Sequence, residues 1–184
     1  MIYPIVLYGS SLLRKVSKEI DLNDTNLKQL VEDLFETMYV SDGVGLAAPQ
    51  IGKTLRIFVI DGAEMSKDDP SLIGFKRAFI NPEIVEETGD MWAYTEGCLS
   101  LPGIREEINR RGTIRIRYYD ENCIFHDELY DGTKARIIQH EYDHLEGILF
   151  VDRVSPLRKK MLKGKLNDIT KGKVTTAYKT KVLK

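Results

Sequence analysis

His140-Glu141-Tyr142-Asp143-His144 sets two imidazoles four residues apart, with a carboxylate between them in the chain. On a helix, positions i and i+4 lie one above the other. Both rings can therefore reach one ion, and Glu141 projects beside it, placed to accept a proton from water. The chain has only three histidines, and two of them stand in this pattern. Such a pair needs a third protein ligand. Downstream the choice is poor: Phe150 stands where one metalloprotease class has a third histidine, no Glu follows Glu146, Asp152 is close to the motif, and Asp168 lies in a basic segment. The third ligand is expected upstream, from Cys98, Cys123 or His126.

Cys98 is the best of the three. It lies in Glu96-Gly97-Cys98-Leu99-Ser100-Leu101-Pro102-Gly103, where glycines at both ends let the backbone approach closely and a ligated thiol is deprotonated. Without a metal, Cys98 reads as a small buried hydrophobe. Cys123 reads as core, and His126 as a surface or core histidine. Glu96 can pair with Arg110 or Arg105 to hold the cysteine segment. A third stretch, Gly43-Val44-Gly45-Leu46-Ala47-Ala48-Pro49-Gln50-Ile51-Gly52, is rich in small residues. It reads either as a tight turn or as a place where a ligand meets the main chain, and the Gln50 amide can donate to a developing oxyanion. It is not a phosphate loop, since no G-K-[ST] follows.

These residues need elements to position them. Residues 131–146 read as a helix stopped at Gly147, with Ala135, Ile138, Tyr142 and Leu145 on one side and the two histidines away from them. A helix with two committed faces is expected to be central, with sheet against one face and a site on the other. Leu27, Leu30, Val31, Leu34, Phe35 and Met38 recur at helical spacing after a cap at Asn23 or Asp24, and Ser41-Asp42-Gly43 ends that helix. Residues 55–60 read as a buried strand, 78–80 and 83–86 as short strands around Asn81-Pro82, and 63–75 as a surface loop. Ile114, Ile116 and Tyr118 alternate with Arg115, Arg117 and Tyr119 as a half-buried strand. Ser155-Pro156 starts a last helix, with Leu157, Met161, Leu162 and Leu166 as a narrow apolar stripe. The expected class is α+β: short, mostly antiparallel strands around a central metal-binding helix, with a C-terminal helix.

At 184 residues, 42% hydrophobic and 30% charged, the chain reads as a single domain, residues 1–184. No apolar run suits a membrane span, no signal peptide is evident, and two cysteines make no secreted framework, so a cytoplasmic location is expected. Net charge is −1, unevenly spread: residues 153–184 carry eleven Lys or Arg against Asp168 alone, a surplus of +10, which leaves −11 on the rest. That segment is either a solvated helix face with a frayed end or a site for a polyanion.

GVGLAAPQ, EGCLS and QHEYDHLEG, in this order, resemble the three motifs of the peptide deformylase family, G-x-G-x-A-A-x-Q, E-G-C-L-S and H-E-x-x-H. The likeness in order and spacing runs over residues 3–153. It implies a bacterial-type hydrolase that removes the formyl group from the N-terminal formyl-methionine of nascent chains and releases formate. It further implies Cys98, His140 and His144 as ligands to one divalent ion per chain, ferrous iron being the family's usual metal in cells, with zinc, nickel or cobalt in some preparations. Glu141 would be the general base and then the acid, with Gln50 and the Leu99 N–H facing the oxyanion. Substrate backbone would pair with Val44, Gly45 and the stretch from Leu101 to Gly103. Val44, Leu99 and Ile137 are expected to line a methionine pocket, Ile137 reading equally well as helix core. Formyl-methionyl peptides are the expected partners, with ribosome contact through 153–184 and neither membrane nor DNA. Two rival readings stay open: a metallopeptidase using the same helix with a ligand other than Cys98, and a zinc-stabilised binding module held by Cys98, Cys123, His140 and His144.

Overall fold

A computed structural model describes residues 1–183. In chain order the strands and helices are β1 (Ile5–Val6), α1 (Leu27–Val40), β2 (Gly45–Ala47), β3 (Ile57–Asp61), β4 (Lys76–Gly97), β5 (Arg105–Tyr119), β6 (Phe125–Asp131), α2 (Gly132–Leu145), α3 (Pro156–Thr170) and β7 (Thr180–Lys181). Five strands form one antiparallel sheet in the order β2-β3-β4-β5-β6, and β1 pairs in parallel with β7 in a separate two-stranded sheet. The α+β class holds.

The sheet is buried on both faces at β3, and its alternation divides the core. Ile57 and Val59 pack with Leu27, Val31, Leu34 and Met38 of α1, whereas Phe58 and Ile60 pack with Ala135, Ile138 and Leu145 of α2. α2 is thus the central helix, with one face on the sheet and its histidines turned elsewhere. It stops where Gly147 turns left-handed at φ 69°. A Cβ there would lie 2.5 Å from the Arg14 carbonyl oxygen, so only glycine lets the chain pass.

Several expectations needed correction. Neither Asn23 nor Asp24 caps α1: the cap residue is Asn26, with no side-chain cap bond, and Asp24 braces the turn before it, its carboxylate accepting the Asn26 N–H at 2.9 Å and its carbonyl the Leu27 N–H at 3.0 Å. The short strands expected around Asn81-Pro82 are parts of the single strand β4. It stays continuous through register shifts against β5, the first between Ile80 and Glu83, where Asn81 has φ 49°. Those bulges absorb the proline that seemed to separate two strands. The 63–75 loop is anchored, not merely superficial, because Leu72 and Phe75 enter the core. Cys123 is exposed on the turn before β6, not in the core.

The stripe on α3 is narrower than expected. Leu162, Leu166 and Ile169 are buried against Leu7, Leu149 and Phe150, while Leu157 and Met161 stay 68% and 65% exposed. Ser155 caps α3 by accepting the Arg158 N–H. Part of the basic charge of 153–183 is paired: Arg153 with Asp143, Arg158 with Glu106 and Lys159 with Asp152. Lys184, counted in that segment, lies outside the described residues. No helix among the described residues is long and apolar enough to cross a membrane.

Candidate metal centre and cleft

Cys98 opens the loop that joins β4 to β5, the turn of the long hairpin. That loop meets α2, and the ligand atoms of Cys98, His140 and His144 all lie within 4.8 Å of one another. The Cys98 thiol is 3.3 Å from His144 Nε2. His140 Nδ1 is engaged by Glu96 at 2.8 Å, so Nε2 is the nitrogen left for the cluster. A carboxylate on the far nitrogen is the usual support for a ligating imidazole. Burial, with the charges of His140 and Arg110, holds His144 well below its ordinary value and therefore neutral, the form a ligand needs. His140 is held well above its ordinary value: burial works downward, but hydrogen bonds with Cys98 and Glu96 outweigh it. An ion would have to displace that proton.

Glu141 is 4% exposed, and its Oε2 has no hydrogen-bond partner among the described residues. Burial pushes its carboxyl up to about 7, with His140 pulling down and Glu96 pushing up by smaller amounts. A buried, unpartnered carboxylate beside one sulfur and two nitrogens is a donor set that fits a divalent ion with water next to it. The backbone of Gly45 covers Glu141 so closely that a Cβ at position 45 would lie 2.5 Å from Glu141 Oε1. Gly45 therefore packs on the Glu141 carboxylate as well as bordering the cleft.

Gln50 is locked by its own neighbours. Its Oε1 accepts the Ala47 N–H at 2.9 Å, which turns Nε2 toward the Cys98 sulfur at 3.4 Å and Ser100 Oγ at 3.3 Å. A cleft of about 770 Å³ opens over this cluster, bordered by Val44, Gly45, Gln50, Leu99, Leu101, Gly103, Ile137, His140 and Glu141. Ile137 serves on both counts: it borders the cleft and is buried with the α2 core. β2 is an edge of the sheet and Gly45 borders the cleft, while the outward Ala47 N–H is taken by Gln50.

Cys123 and His126, the other upstream ligand candidates, are elsewhere. Cys123 lies against the Leu22 carbonyl, and His126 stacks on Tyr118 and bonds Asp120 at 2.9 Å. The four-ligand set of the binding-module reading does not assemble.

Comparison with known proteins agrees with the motifs. The family description "Polypeptide deformylase" matches residues 2–160. A peptide deformylase of Christiangramia forsetii is 48% identical over 97% of this chain and 95% of its own, and one of Cytophaga hutchinsonii is 49% identical over 98% and 97%. The chain belongs to the polypeptide deformylase family. Solved structures of deformylases have the same fold: an inhibitor complex from Plasmodium falciparum superposes with a TM-score of 0.79 at 40% identity, covering 91% of this chain and 99% of that one. A Synechococcus elongatus peptide deformylase bound to actinonin gives 0.77 at 35% identity, covering 97% and 92%. The chain is accordingly an enzyme, a deformylase.

Behind the deformylase cluster stands a charge network that motif reading left unresolved. Arg110, not Arg105, pairs with Glu96, at 2.7 and 2.9 Å, and its other arm reaches Asp143 at 2.7 Å. Arg136 adds a bond to Glu96 at 3.0 Å and to the Ile108 carbonyl at 2.9 Å. Burial works against the Glu96 charge, yet hydrogen bonds from Arg110 and His140 hold its carboxyl far below the usual carboxylate range. Two signals pointed to these arginines. Arg110 shares the parity of Ile108, Ile114 and Ile116 on β5, and Arg136 stands one helical turn before His140. Tyr178 carried no such signal.

Proposed function

We propose that this deformylase removes the formyl group from formyl-methionyl peptides with one divalent ion held by Cys98, His140 and His144. The observation that carries the reading is the convergence of one thiol and two imidazoles, from distant segments, beside a buried carboxylate with an open oxygen. When bound, such an ion lowers the pKa of adjacent water and polarises a carbonyl oxygen. Glu141 takes a proton from the attacking water and returns it to the amine as the carbon–nitrogen bond breaks, releasing formate and a free N-terminus. Gln50 Nε2 and the Leu99 N–H face the formyl oxygen and stabilise its growing negative charge. The peptide lies along the edge of β2, its backbone paired with Val44, Gly45 and the Leu101 to Gly103 stretch. Val44, Leu99 and Ile137 take the methionine side chain.

Ferrous iron is the proposed ion in cells, and the cytoplasm the proposed location. The same donors accept zinc, cobalt or nickel, because ligand type does not separate these metals. The whole chain, residues 1–184, acts as one domain in this reading. Its basic segment, 153–184, is the proposed ribosome contact; that contact should weaken steeply with salt.

The deciding experiment uses protein purified without oxygen, analysed for metal and assayed for formate released from formyl-Met-Ala-Ser. We expect release, no cleavage of Met-Ala-Ser, and a Glu141→Gln variant that keeps its metal while losing at least ~100-fold in kcat. Cys98→Ser should bind metal far more weakly. Cleavage of the peptide bond without formate would discard the reading.

A further inference from the structure

The segment that follows α3 returns to the cleft. Thr175, Thr176 and Tyr178 border it beside Leu99 and Leu101. The Tyr178 hydroxyl donates to the Leu99 carbonyl at 2.8 Å. We infer that Tyr178 is a positioning residue for catalysis, its hydroxyl fixing the backbone at Leu99 and so aiming the Leu99 N–H at the reacting carbonyl. This rests on the proposed deformylation, in which that N–H is an oxyanion donor.

Three parts of the chain hold the three carbonyls of the turn that begins at Cys98. The Cys98 carbonyl accepts the Leu101 N–H at 3.0 Å, within the turn itself. The Ser100 carbonyl accepts the Tyr8 N–H at 2.9 Å. The Leu99 carbonyl, between them, takes the Tyr178 hydroxyl. The Leu99 N–H lies on the other side of the same α-carbon, so two backbone torsions separate the fixed carbonyl from the functional donor. Cys98 fixes one end of that short path and Tyr178 the other. Without the hydroxyl, the Leu99–Ser100 peptide loses the bond that fixes its carbonyl, and the two torsions at Leu99 that relate it to the Cys98–Leu99 peptide, which carries the N–H, are no longer pinned from that side.

Tyr178 is itself firmly placed. Its carbonyl accepts the Thr176 hydroxyl at 2.7 Å, and its ring packs against the α1 side of the core. Just beyond it, the Ile5 N–H donates to the Lys179 carbonyl at 2.8 Å and the Leu7 N–H to the Lys181 carbonyl at 3.0 Å. The pairing of β1 with β7 therefore delivers both Tyr8 and Tyr178 to the turn. Burial pushes the Tyr178 phenol up to about 12, so it stays a donor through the neutral range. A preorganised donor costs no reorganisation when charge develops, and small misplacements of such groups are expensive in rate.

The test compares Tyr178→Phe with the unmodified full chain, both zinc-loaded. The expected result is a kcat lowered roughly five- to tenfold, a KM changed less than about twofold, and unchanged zinc content and Tm. In nitrogen-15 spectra of the same samples, the Leu99 and Ser100 amides should shift and exchange faster while those of β5 stay put. Equal kcat with unmoved Leu99 and Ser100 amides would overturn the inference. So would a loss of rate that tracks lost zinc or a lowered Tm, since the hydroxyl would then act on stability alone. If the unmodified protein releases no formate, the proposed function fails instead, and the amide signals alone decide whether Tyr178 sets the turn.

Discussion

At the scale of single residues, the tightest contact in the site is made by an atom that is absent. Gly45 has no side chain, and the Glu141 carboxylate occupies the space one would fill. The clash in Gly45→Ala would fall on the end of a flexible side chain, and the backbone could stay where it is. The fold should therefore survive with a small change in Tm, while Glu141 is pushed off its position. In the proposed mechanism Glu141 moves the proton, and displacing it is costly, so kcat should drop by about 100-fold. Near-normal turnover in a well-folded Gly45→Ala protein would show that Glu141 tolerates displacement. The role of Gly45 was only half legible in the sequence. Small residues in that stretch announced a close approach, but nothing in the order of amino acids said that the approaching group is the Glu141 carboxylate on α2.

At the scale of elements, the β4–β5 hairpin explains why the metal motif could be read and its support could not. His140 and His144 follow from the helical repeat alone. Cys98 joins them because the hairpin loop folds onto α2, a contact that no local pattern encodes. Arg110 is 3% exposed and bridges Glu96 on β4 to Asp143 on α2, so it ties the hairpin to the helix. Replacing it with methionine would leave two buried carboxylates without their shared cation. Breaking buried pairs in this way typically costs ~3–5 kcal/mol. Arg110→Met should thus show a strongly lowered Tm and, through the Glu96–His140 bond, weaker metal binding measured by competition with a chelator. An unchanged Tm would mean that the network is incidental. β6 illustrates the opposite kind of illegibility. Its apolar residues Phe125 and Leu129 point to solvent, while His126, Glu128 and Tyr130 sit on the more buried phase. The hydrophobic alternation is inverted there, so pattern reading passes over the strand.

At the scale of the whole molecule, carboxylate pairs shape the response to acid; Asp152 is tied to Arg14 far away in the chain, Asp120 and Glu128 to partners close in sequence. Burial alone would raise the Asp152 carboxyl. Hydrogen bonds from Arg14 and the Leu149 N–H outweigh it and hold the group below its ordinary value. Asp120 and Glu128 are likewise held low against burial, by hydrogen bonds from His126 and from the two tyrosines Tyr130 and Tyr118. A group depressed by folding contributes stability above its unfolded pKa, and that contribution is lost as pH falls through the folded value. The contribution of these pairs to Tm should hold level from neutral pH down to about 5 and decline below about 4. Asp152→Asn should cost less than ~1 kcal/mol at pH 7, because the pair is partly exposed, and less still at pH 3. A penalty that grew on acidification would contradict this.

The parallel pairing of β1 with β7 also has a consequence for how the enzyme comes into being. Synthesis runs from the N-terminus, so Ile5 and Val6 emerge long before Thr180 and Lys181 can join them. The histidine helix and the cysteine loop can meet earlier, but the clasp that brings Tyr178 to Leu99 closes only once residues 178–181 have been made. This deformylase therefore completes the turn at Leu99 with residues made after Cys98, His140 and His144.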